Sequence, residues 1–352
     1  MKRKRHIVAA KMGNGHINLI EEDIPPVRPG TVLVEVHNSL VSPGTELKGW
    51  HGLRKQLENP SSNIKPKPFG YSNAGVLLEV GDGVEEFKVG DRVACIGIGY
   101  AMHTNYAVVP HNLCIALPEE VTFAQGSYAM LATVALHAMR RGQPEFGERV
   151  AVIGLGLVGQ LTAMFYQLAG NLVIGWDLIP FRAEIAQKWD IDATVVVGME
   201  DEVAATKAFT DGYGLDAAVI AYGGDANQSI EKIHQCLKCS PDGHLMGRII
   251  VPGNAIFTYP MTLTNIDIRR ASRTGSGYHD PAWEVGPDYP PVSMRWTTRT
   301  NLEVCMRMIA KGKLKVDSLT THTIPLEDVD ARISAIIDEP DRILGVILEM
   351  KH

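Results

Sequence analysis

The sequence predicts an α/β protein that combines a β-rich domain with a second domain built on a doubly wound parallel sheet. In the first 120 residues, short strand-like runs are separated by glycine and proline, whereas strand-like and helix-like segments alternate from Arg149 onward. The character of the chain changes near Phe123. We therefore predict a first domain over residues 1–123 and a second over residues 124–276.

The strand-like runs of the first domain are short, and several of them alternate apolar and polar residues. A turn signal, Gly81-Asp82-Gly83, follows one of these runs. Regular short strands with such turns indicate a compact, barrel-like β domain. The runs are Val32–Val36, Ala74–Val80, Val89–Ala94 and Asn105–Val109.

The second domain begins with a long apolar segment, Ala124–Arg141, that predicts a helix. Strands and helices then follow one another, an order that indicates βαβ units and a parallel sheet. The predicted strands are Val150–Ile153, Leu172–Asp177, Thr194–Val197, Asp216–Ala221 and His244–Val251, and the predicted helices are Gln160–Ala169, Phe181–Lys188 and one from Asn227. A loop over 277–291, a helix Thr300–Lys311 and a strand Arg342–Glu349 follow.

Composition and charge exclude several classes of protein. The chain has 352 residues, 45% of them hydrophobic and 21% charged, which is typical of a soluble globular protein. The net charge of −6 argues against nucleic acid as a partner, because phosphate binding needs a basic surface. Since the sequence has no apolar run of about 18 residues, we expect no membrane span. Five sparse cysteines indicate reduced thiols and a cytoplasmic location.

A glycine-rich stretch, Ala151–Gly159, carries the strongest functional signal. Gly154, Gly156 and Gly159 lie between a predicted strand and a predicted helix, and Asp177 ends the next strand. In this pattern the first glycine permits a tight turn, the second lets the backbone approach a pyrophosphate, and the third allows close packing of helix on strand. The N–H groups at the helix N-terminus then face the phosphates. The stretch therefore predicts a dinucleotide-binding site.

Asp177 predicts which dinucleotide binds. A carboxylate at this point accepts hydrogen bonds from the ribose hydroxyls and repels a 2′-phosphate, so the sequence favours NAD(H) over NADP(H). Arg182, five residues further on, has two interpretations. It either softens this preference or is an exposed residue in the first turn of a helix.

Motifs along most of the chain resemble those of the medium-chain dehydrogenase/reductase family, the alcohol-dehydrogenase-like group. These motifs are Val41–Glu46, Phe69–Gly75, Gly81–Val93, Gly154–Asp177, Gly312–Asp317 and Ile324–Asp328. The resemblance implies a GroES-like β-rich catalytic domain, completed by residues 277–352, and a Rossmann coenzyme domain. It also implies a small-molecule substrate and a homodimer or homotetramer.

The sequence departs from the zinc-dependent members of this family at each metal position. Pro43 stands where a ligand cysteine is expected, Tyr71 where a histidine is expected, and the apolar Tyr128–Met130 where a cysteine or aspartate is expected. The segment Val93–His103 replaces a four-cysteine structural lobe and has one cysteine. Because zinc needs three or four N, S or O ligands, we predict a metal-free enzyme. The chain resembles zinc-less members with a Ser-Pro-Gly-Thr-Glu motif, namely the bacteriochlorophyllide-oxidising type and the dehydrogenase half of two-domain oxidoreductases.

Without zinc, a side chain must handle the proton of the substrate hydroxyl. The motif alignment gives Thr45 the place of the family's relay hydroxyl and Lys48 that of a solvent-side base or a surface lysine. Tyr71 is expected either to donate to a carbonyl oxygen and relay a proton, or to fill the vacated zinc pocket. His103 is a candidate base or a surface histidine. Glu46 is expected to pair with an arginine.

Further site residues follow from the resemblance and from the aromatic-rich segment after Gly275. Candidate coenzyme residues are Thr133, Gly154, Gly156, Leu157, Val158, Gly159, Asp177, Arg182, Tyr222, Val251, Pro252 and Gly275. Candidate substrate residues are His51, Tyr100, His279, Trp283, Arg295 and Trp296. The segment over residues 278–298 is equally consistent with a subunit contact or a lid that does not touch substrate.

Together these observations predict a zinc-independent NAD(H)-dependent oxidoreductase that interconverts a secondary alcohol and a ketone. The expected substrate is a polyhydroxylated ring such as a sugar or cyclitol. One alternative is a zinc-less NAD(P)H-dependent reductase of conjugated C=C bonds or quinones. Another is a nucleotide-binding protein without turnover.

Overall fold

The computed structural model describes residues 5–13, 15–47, 65–259, 264–339 and 341–351. The chain divides into two compact units. The first comprises Met1–Met130, Gly275–Gly312 and Thr320–His352, and the second comprises Leu131–Thr274 and Lys313–Leu319. The expectation that all of residues 277–352 belong with the first unit is therefore wrong for Lys313–Leu319. Lys315 in this segment contacts the rest of the second unit, because its ammonium lies 2.8 Å from a carboxylate oxygen of Asp190.

The described residues form the following helices and strands. The helices are α1 Pro43–Glu46, α2 Phe123–Gly126, α3 Ala129–Gly142, α4 Leu157–Leu168, α5 Pro180–Lys188, α6 Glu202–Phe209, α7 Asn227–Cys236, α8 Pro281–Glu284, α9 Thr298–Ala310 and α10 Val329–Asp338. The strands are β1 His6–Lys11, β2 Ile17–Glu22, β3 Thr31–Val41, β4 Lys67–Pro68, β5 Ser72–Val80, β6 Arg92–Ile96, β7 Tyr106–Pro110, β8 Cys114–Ala116, β9 Arg149–Ile153, β10 Leu172–Asp177, β11 Ala193–Val196, β12 Ala217–Ile220, β13 Gly224–Asp225, β14 Leu245–Val251, β15 Ala255–Ile256, β16 Thr264–Arg270, β17 Thr320–Pro325 and β18 Gly345–Glu349.

The first unit is organised around the long strand β3. Its alternate residues Val32, Val34 and Val36 are fully buried, as the period of a strand with one core-facing side requires. Strand β3 pairs antiparallel with β5, β7 and β18, in a seven-stranded sheet with the order β17-β18-β3-β5-β6-β8 and β7 also on β3. The β-rich character predicted for this part of the chain is confirmed, and a C-terminal strand completes its sheet.

The second unit contains a six-stranded parallel sheet with the order β11-β10-β9-β12-β14-β16. This order reverses direction beside β9, which is the arrangement of a doubly wound Rossmann sheet. The prediction of a parallel sheet is confirmed. Strand β16 was not predicted, because its polar residues Asn265, Asp267 and Arg269 interrupt the apolar run that marks the central strands.

The predicted single helix over Ala124–Arg141 is instead two helices, α2 and α3, with a break at Ser127 and Tyr128. Thr122 and Gln125 form a capping box that fixes the start of α2. The hydroxyl of Ser72 donates to the Ser127 carbonyl at 2.6 Å and accepts from the Met130 N–H at 3.1 Å. A buried serine therefore supplies the partners that the helical backbone lacks at the break.

Across the part of the chain that the structure describes, no helix is both long enough and apolar enough to cross a bilayer.

Candidate functional site: a glycine loop and a buried tyrosine cluster

The glycine loop joins β9 to α4 in the second unit. Gly154 has a φ of +92°, and a Cβ atom on Gly159 would lie 1.8 Å from the Gly154 carbonyl oxygen, so the helix packs on the loop more closely than any side chain permits. At Gly156, the N-cap of α4, an added Cβ would meet nothing within 4 Å. The helix N-terminus is therefore open at the point where the motif places a pyrophosphate.

Asp177 is buried at the end of β10 and touches this loop. Its Oδ2 accepts from the Leu155 N–H at 2.6 Å, and its Oδ1 accepts from the Ile179 N–H at 2.8 Å. The carboxylate is thereby fixed in orientation, and each oxygen retains a further lone pair for a ribose hydroxyl. Arg182 lies on the first turn of α5, with Nη1 3.6 Å from Asp177 Oδ2, so this arginine pairs with the carboxylate.

Other predicted coenzyme residues lie at the same edge of the sheet. Tyr222 follows β12, its ring lies beside the Gly154 backbone, and its hydroxyl donates to Ser229 Oγ at 2.7 Å. Val251 ends β14 and Pro252 follows it. Because the carboxyl ends of adjacent parallel strands meet at one edge, the structure brings these residues together with Gly154 and Asp177.

The remaining coenzyme candidates have different surroundings. Leu157 and Val158 form the first turn of α4, and Thr133 is fully buried on α3. Gly275 belongs to the first unit, where an added Cβ would lie 2.8 Å from Asn301 Nδ2. The structure places Gly275 against helix α9 of its own unit.

A cluster of hydroxyl groups surrounds Tyr71 in the first unit. The Tyr71 side chain is 6% exposed, and its phenol forms hydrogen bonds with the hydroxyls of Ser42 and Thr45. Burial, and then the nearby charge of Glu46, raise the pKa of Tyr71 above the ordinary range despite these two bonds. Tyr71 is therefore a neutral phenol at physiological pH, suited to donating a hydrogen bond.

Glu46 and His103 form a buried pair beside this cluster. Carboxylate oxygens of Glu46 lie 3.3 and 3.4 Å from His103 Nε2, and Oε2 also accepts from the Ser42 N–H at 2.6 Å. The expectation that Glu46 pairs with an arginine is wrong. His103 is fully buried, so the interpretation as a surface histidine is wrong as well. Its Nδ1 is occupied by Ser39 Oγ at 2.8 Å.

Two predicted residues, Lys48 and His51, lie outside the described part of the chain.

The segment after Gly275 is not an open loop. It contains helix α8, and the Trp283 indole is 2% exposed, donating from Nε1 to Asp288 at 2.7 Å. The Asn112 amide donates to the Trp283 carbonyl at 2.6 Å and thereby ties the segment to its own unit. The prediction that Trp283 contacts substrate is corrected, because its side chain packs inside this segment and across Gly277.

The other substrate candidates are more accessible. The Tyr100 hydroxyl donates to Glu284 Oε2 at 3.2 Å, and burial, followed by the charge of Glu284, raises the pKa of Tyr100. His279 is exposed and stacks on Tyr278 with 3.9 Å between ring centroids. Arg295 and Trp296 are exposed, with the guanidinium 4.6 Å from the indole centroid.

Sequence reasoning missed Tyr278. This residue is buried, its oxygen accepts from the Ile98 N–H at 3.0 Å, and it lies close enough to Tyr71 to raise the pKa of that phenol. The pattern Gly275-Ser276-Gly277 before it was a usable signal, because glycines on both sides often mark a close backbone approach. The cluster therefore contains two phenols, Tyr71 and Tyr278.

Comparison with known proteins shows which proteins this chain is similar to. The alcohol dehydrogenase GroES-like domain family matches residues 28–119. Mouse sorbitol dehydrogenase is 25% identical over 346 residues, covering 90% of this chain and 88% of its own. The chain is therefore similar to alcohol dehydrogenases, through a GroES-like segment and over most of the length of a polyol dehydrogenase. An uncharacterised zinc-type alcohol dehydrogenase-like protein of Haemophilus influenzae is 23% identical over 359 residues, covering 94% of this chain and 95% of its own.

The fold of this chain is shared with solved structures. A short-chain alcohol dehydrogenase of Escherichia coli CFT073, solved in complex with NADH, matches with a TM-score of 0.72. The two are 20% identical, and the match covers 98% of this chain and 100% of the other.

The zinc site implied by the zinc-type relative does not fit the donor atoms among the described residues of this chain. Pro43 has no side-chain donor atom, and the phenol of Tyr71 is neutral and hydrogen-bonded to Ser42 and Thr45. Among the described residues, no three His, Cys, Asp or Glu side chains form a group that could hold a metal ion. Zinc prefers sets of three or four Cys, His or carboxylate ligands, which the described cluster lacks.

Proposed function

We propose that the protein is a zinc-independent, NAD(H)-dependent oxidoreductase that interconverts a secondary alcohol and a ketone. The observation that carries the proposal is the edge of the parallel sheet, where the open helix N-terminus at Gly156 and the fixed carboxylate of Asp177 lie after adjacent strands. Names of relatives, including sorbitol dehydrogenase, support the reaction class, and the relative solved with NADH supports a nicotinamide coenzyme.

The open helix N-terminus and the fixed carboxylate of the second unit support binding of the coenzyme. The N–H groups at the start of α4 bind the diphosphate, and Asp177 binds the ribose hydroxyls. When bound, NAD⁺ supplies the acceptor for a hydride from the substrate carbon. We assign the remaining chemistry, removal or return of the hydroxyl proton, to side chains of the first unit.

Among those side chains, Tyr71 is our candidate for contact with the substrate oxygen. Its neutral phenol donates a hydrogen bond to a ketone oxygen and delivers the proton when the alcohol forms. Thr45 bonds to the phenol and relays the proton. His103, with both nitrogens engaged, acts through Glu46. Lys48 remains our candidate for the solvent-side base.

A polyhydroxylated ring, such as a sugar or cyclitol, is the substrate class that we propose. Sorbitol dehydrogenase, a relative over most of the chain, is named for a polyol. The accessible groups Tyr100, His279, Arg295 and Trp296 combine hydrogen-bond donors with flat aromatic surfaces, which suit a hydroxyl-rich ring. We further propose a homodimer or homotetramer in the cytoplasm.

The test is a panel of polyols, sugars, cyclitols and simple secondary alcohols with NAD⁺, followed by NADH absorbance. We expect turnover of at least one cyclic polyol that persists after treatment with a strong chelator. Loss of turnover on chelation, restored by zinc, would contradict zinc independence. Turnover of enones or quinones with NADPH alone, or tight NADH binding with no turnover, would favour the two alternative functions.

The Asp177→Asn variant tests the coenzyme assignment. We expect its preference for NAD⁺ over NADP⁺, as a ratio of kcat/KM values, to fall about 10- to 100-fold, because a charged hydrogen bond of about 1.5–3 kcal/mol to the ribose is lost. Repulsion of a 2′-phosphate disappears at the same time. Glu184→Gln, which removes an exposed charge on the following helix α5, is the matched control and should leave the ratio unchanged. An unchanged ratio in Asp177→Asn would remove Asp177 from the site.

A further inference from the structure

We propose that Ser39, His103 and Glu46 form a buried positioning network that holds the Tyr71 phenol in place for proton transfer. The inference rests on the proposed function, because it is there that Tyr71 receives its role. It adds residues that touch neither substrate nor coenzyme and act through Tyr71.

The network is continuous and buried. Ser39 Oγ lies 2.8 Å from His103 Nδ1, and His103 Nε2 forms a hydrogen bond with Glu46 Oε2 at 3.4 Å. Ser39 and His103 are fully buried, and Glu46 is 4% exposed. With Nε2–H donating to the carboxylate, Nδ1 accepts from the serine hydroxyl, and this pattern fixes both the tautomer and the ring orientation.

The backbone around His103 is held as firmly as its ring. Gly70 has a φ of +110°, and an added Cβ there would lie 2.4 Å from the His103 backbone nitrogen, so only glycine permits this approach. The His103 N–H donates to the Phe69 carbonyl at 3.0 Å, and its carbonyl accepts from the Ala9 N–H at 2.9 Å. A buried carboxylate needs such fixed partners, because an uncompensated charge in the interior is costly.

Glu46 connects His103 to the turn that carries the hydroxyls of Ser42 and Thr45. Its side chain returns to the Ser42 N–H at 2.6 Å and so closes the turn that forms α1. The Lys11 ammonium donates to the Glu46 carbonyl at 2.7 Å and ties down the end of the same turn. Ser42, the N-cap of this turn, and Thr45, within it, bond to the Tyr71 phenol. Ser39 is thus connected to Tyr71 through four successive contacts, by way of His103, Glu46 and Ser42.

The rate of proton transfer depends on where the Tyr71 phenol lies among the groups that face it. Glu46 and Tyr278 both lie near the phenol and oppose its ionisation, whereas the two hydroxyls favour it. A shift of the turn changes the donor atom's position relative to the substrate, and a misplacement of about 1 Å costs roughly 100-fold in rate. The network therefore acts on kcat and leaves coenzyme binding unaffected.

Kinetics of Ser39→Ala and His103→Gln, alone and combined with Tyr71→Phe, test the inference. We expect each single variant to lower kcat about 10-fold with KM for NAD⁺ unchanged. Added to Tyr71→Phe, neither should lower kcat further, because the group through which it acts is already absent. Losses that multiply in the double variants would overturn the inference.

Thr104→Val is the matched control for lost stability. Thr104 is fully buried beside His103, and its hydroxyl donates to the Ile7 carbonyl at 2.7 Å, away from the network. We expect Thr104→Val to lower Tm as much as Ser39→Ala does while leaving kcat unchanged. If Thr104→Val lowers kcat equally, the effect is one of general packing and the inference fails.

A measurement without turnover separates this inference from the proposed function. The Cζ resonance of isotope-labelled Tyr71, assigned with Tyr71→Phe, reports the hydrogen bonding of the phenol. We expect Ser39→Ala and His103→Gln to move this resonance and Thr104→Val to leave it in place. If the resonance moves but the protein oxidises no alcohol, the network stands and the proposed function is refuted. If the resonance does not move, the network is refuted.

Discussion

Replacing Tyr71 by phenylalanine is expected to lower kcat for alcohol oxidation and for ketone reduction by about 100-fold or more, the usual effect of removing a general acid or base. The variant loses one oxygen atom from a side chain that is 6% exposed, so the core keeps its shape. Because the hydrogen bond to the substrate oxygen strengthens as charge develops, the loss falls on kcat more than on KM. Steady-state kinetics in both directions measure this.

The pH dependence of the two directions follows from the same phenol. Its pKa is raised, so the proton needed for ketone reduction is present throughout the neutral range. Alcohol oxidation needs the phenol oxygen ready to receive a proton, and we expect its rate to rise with pH through neutrality without a plateau. Tyr71→Phe should abolish this rise.

Tyr106→Phe is the matched control for Tyr71→Phe. Tyr106 is equally buried in the same unit, and its hydroxyl contacts Glu35 at 3.4 Å. We expect normal kcat in Tyr106→Phe. Equal losses in the two variants, or intact kcat in Tyr71→Phe, would remove Tyr71 from the catalytic assignment and leave it as a residue that fills the pocket.

The second large effect is expected from Gly159→Ala, compared with Gly156→Ala. A Cβ on Gly159 would lie 1.8 Å from the Gly154 carbonyl oxygen, so loop and helix must separate, and overpacking of this kind costs typically about 1–3 kcal/mol. We expect a lower Tm and a severe loss of NADH affinity. A Cβ on Gly156 meets no protein atom within 4 Å and should leave Tm unchanged.

Gly156→Ala nevertheless should weaken NADH binding at least about 10-fold, because its methyl group occupies the space into which the diphosphate fits. Thermal unfolding with and without NADH, together with fluorescence titration of the coenzyme, distinguishes the two variants. Tight NADH binding by Gly156→Ala would show that the diphosphate does not approach this helix, and the proposed coenzyme site would then be wrong.

The parallel sheet of the second unit could be predicted because its strands are buried on both faces and therefore appear as continuous apolar runs. Strand β16 could not, since it is the edge strand and half of its residues face outward. The break between α2 and α3 was equally invisible, because Ser72 satisfies the backbone of Ser127 from a strand more than 50 residues away. Local patterns do not reveal a partner that only folding brings close.

The candidate site also has one part that could be predicted from the sequence and one part that could not. The glycine loop and Asp177 could be predicted because a single βαβ unit contains both. The surroundings of Glu46 could not, because its partner His103 is 57 residues away in the sequence. The burial of Trp283 could not be predicted either, since aromatic residues in a proline-rich stretch are equally typical of a ligand-binding loop and of a small separate hydrophobic core.

The position of β18 beside β3 has a consequence for biosynthesis. Val346 of β18 pairs with Val41 of β3, so the sheet of the first unit closes only after the intervening strands of the second unit have been synthesised. Strands β9 to β16, by contrast, are contiguous in sequence and emerge from the ribosome earlier. The nascent chain therefore exposes an unpaired edge of β3 while the Rossmann unit is already able to form. This interval is when aggregation competes with folding and when a chaperone has most to contribute.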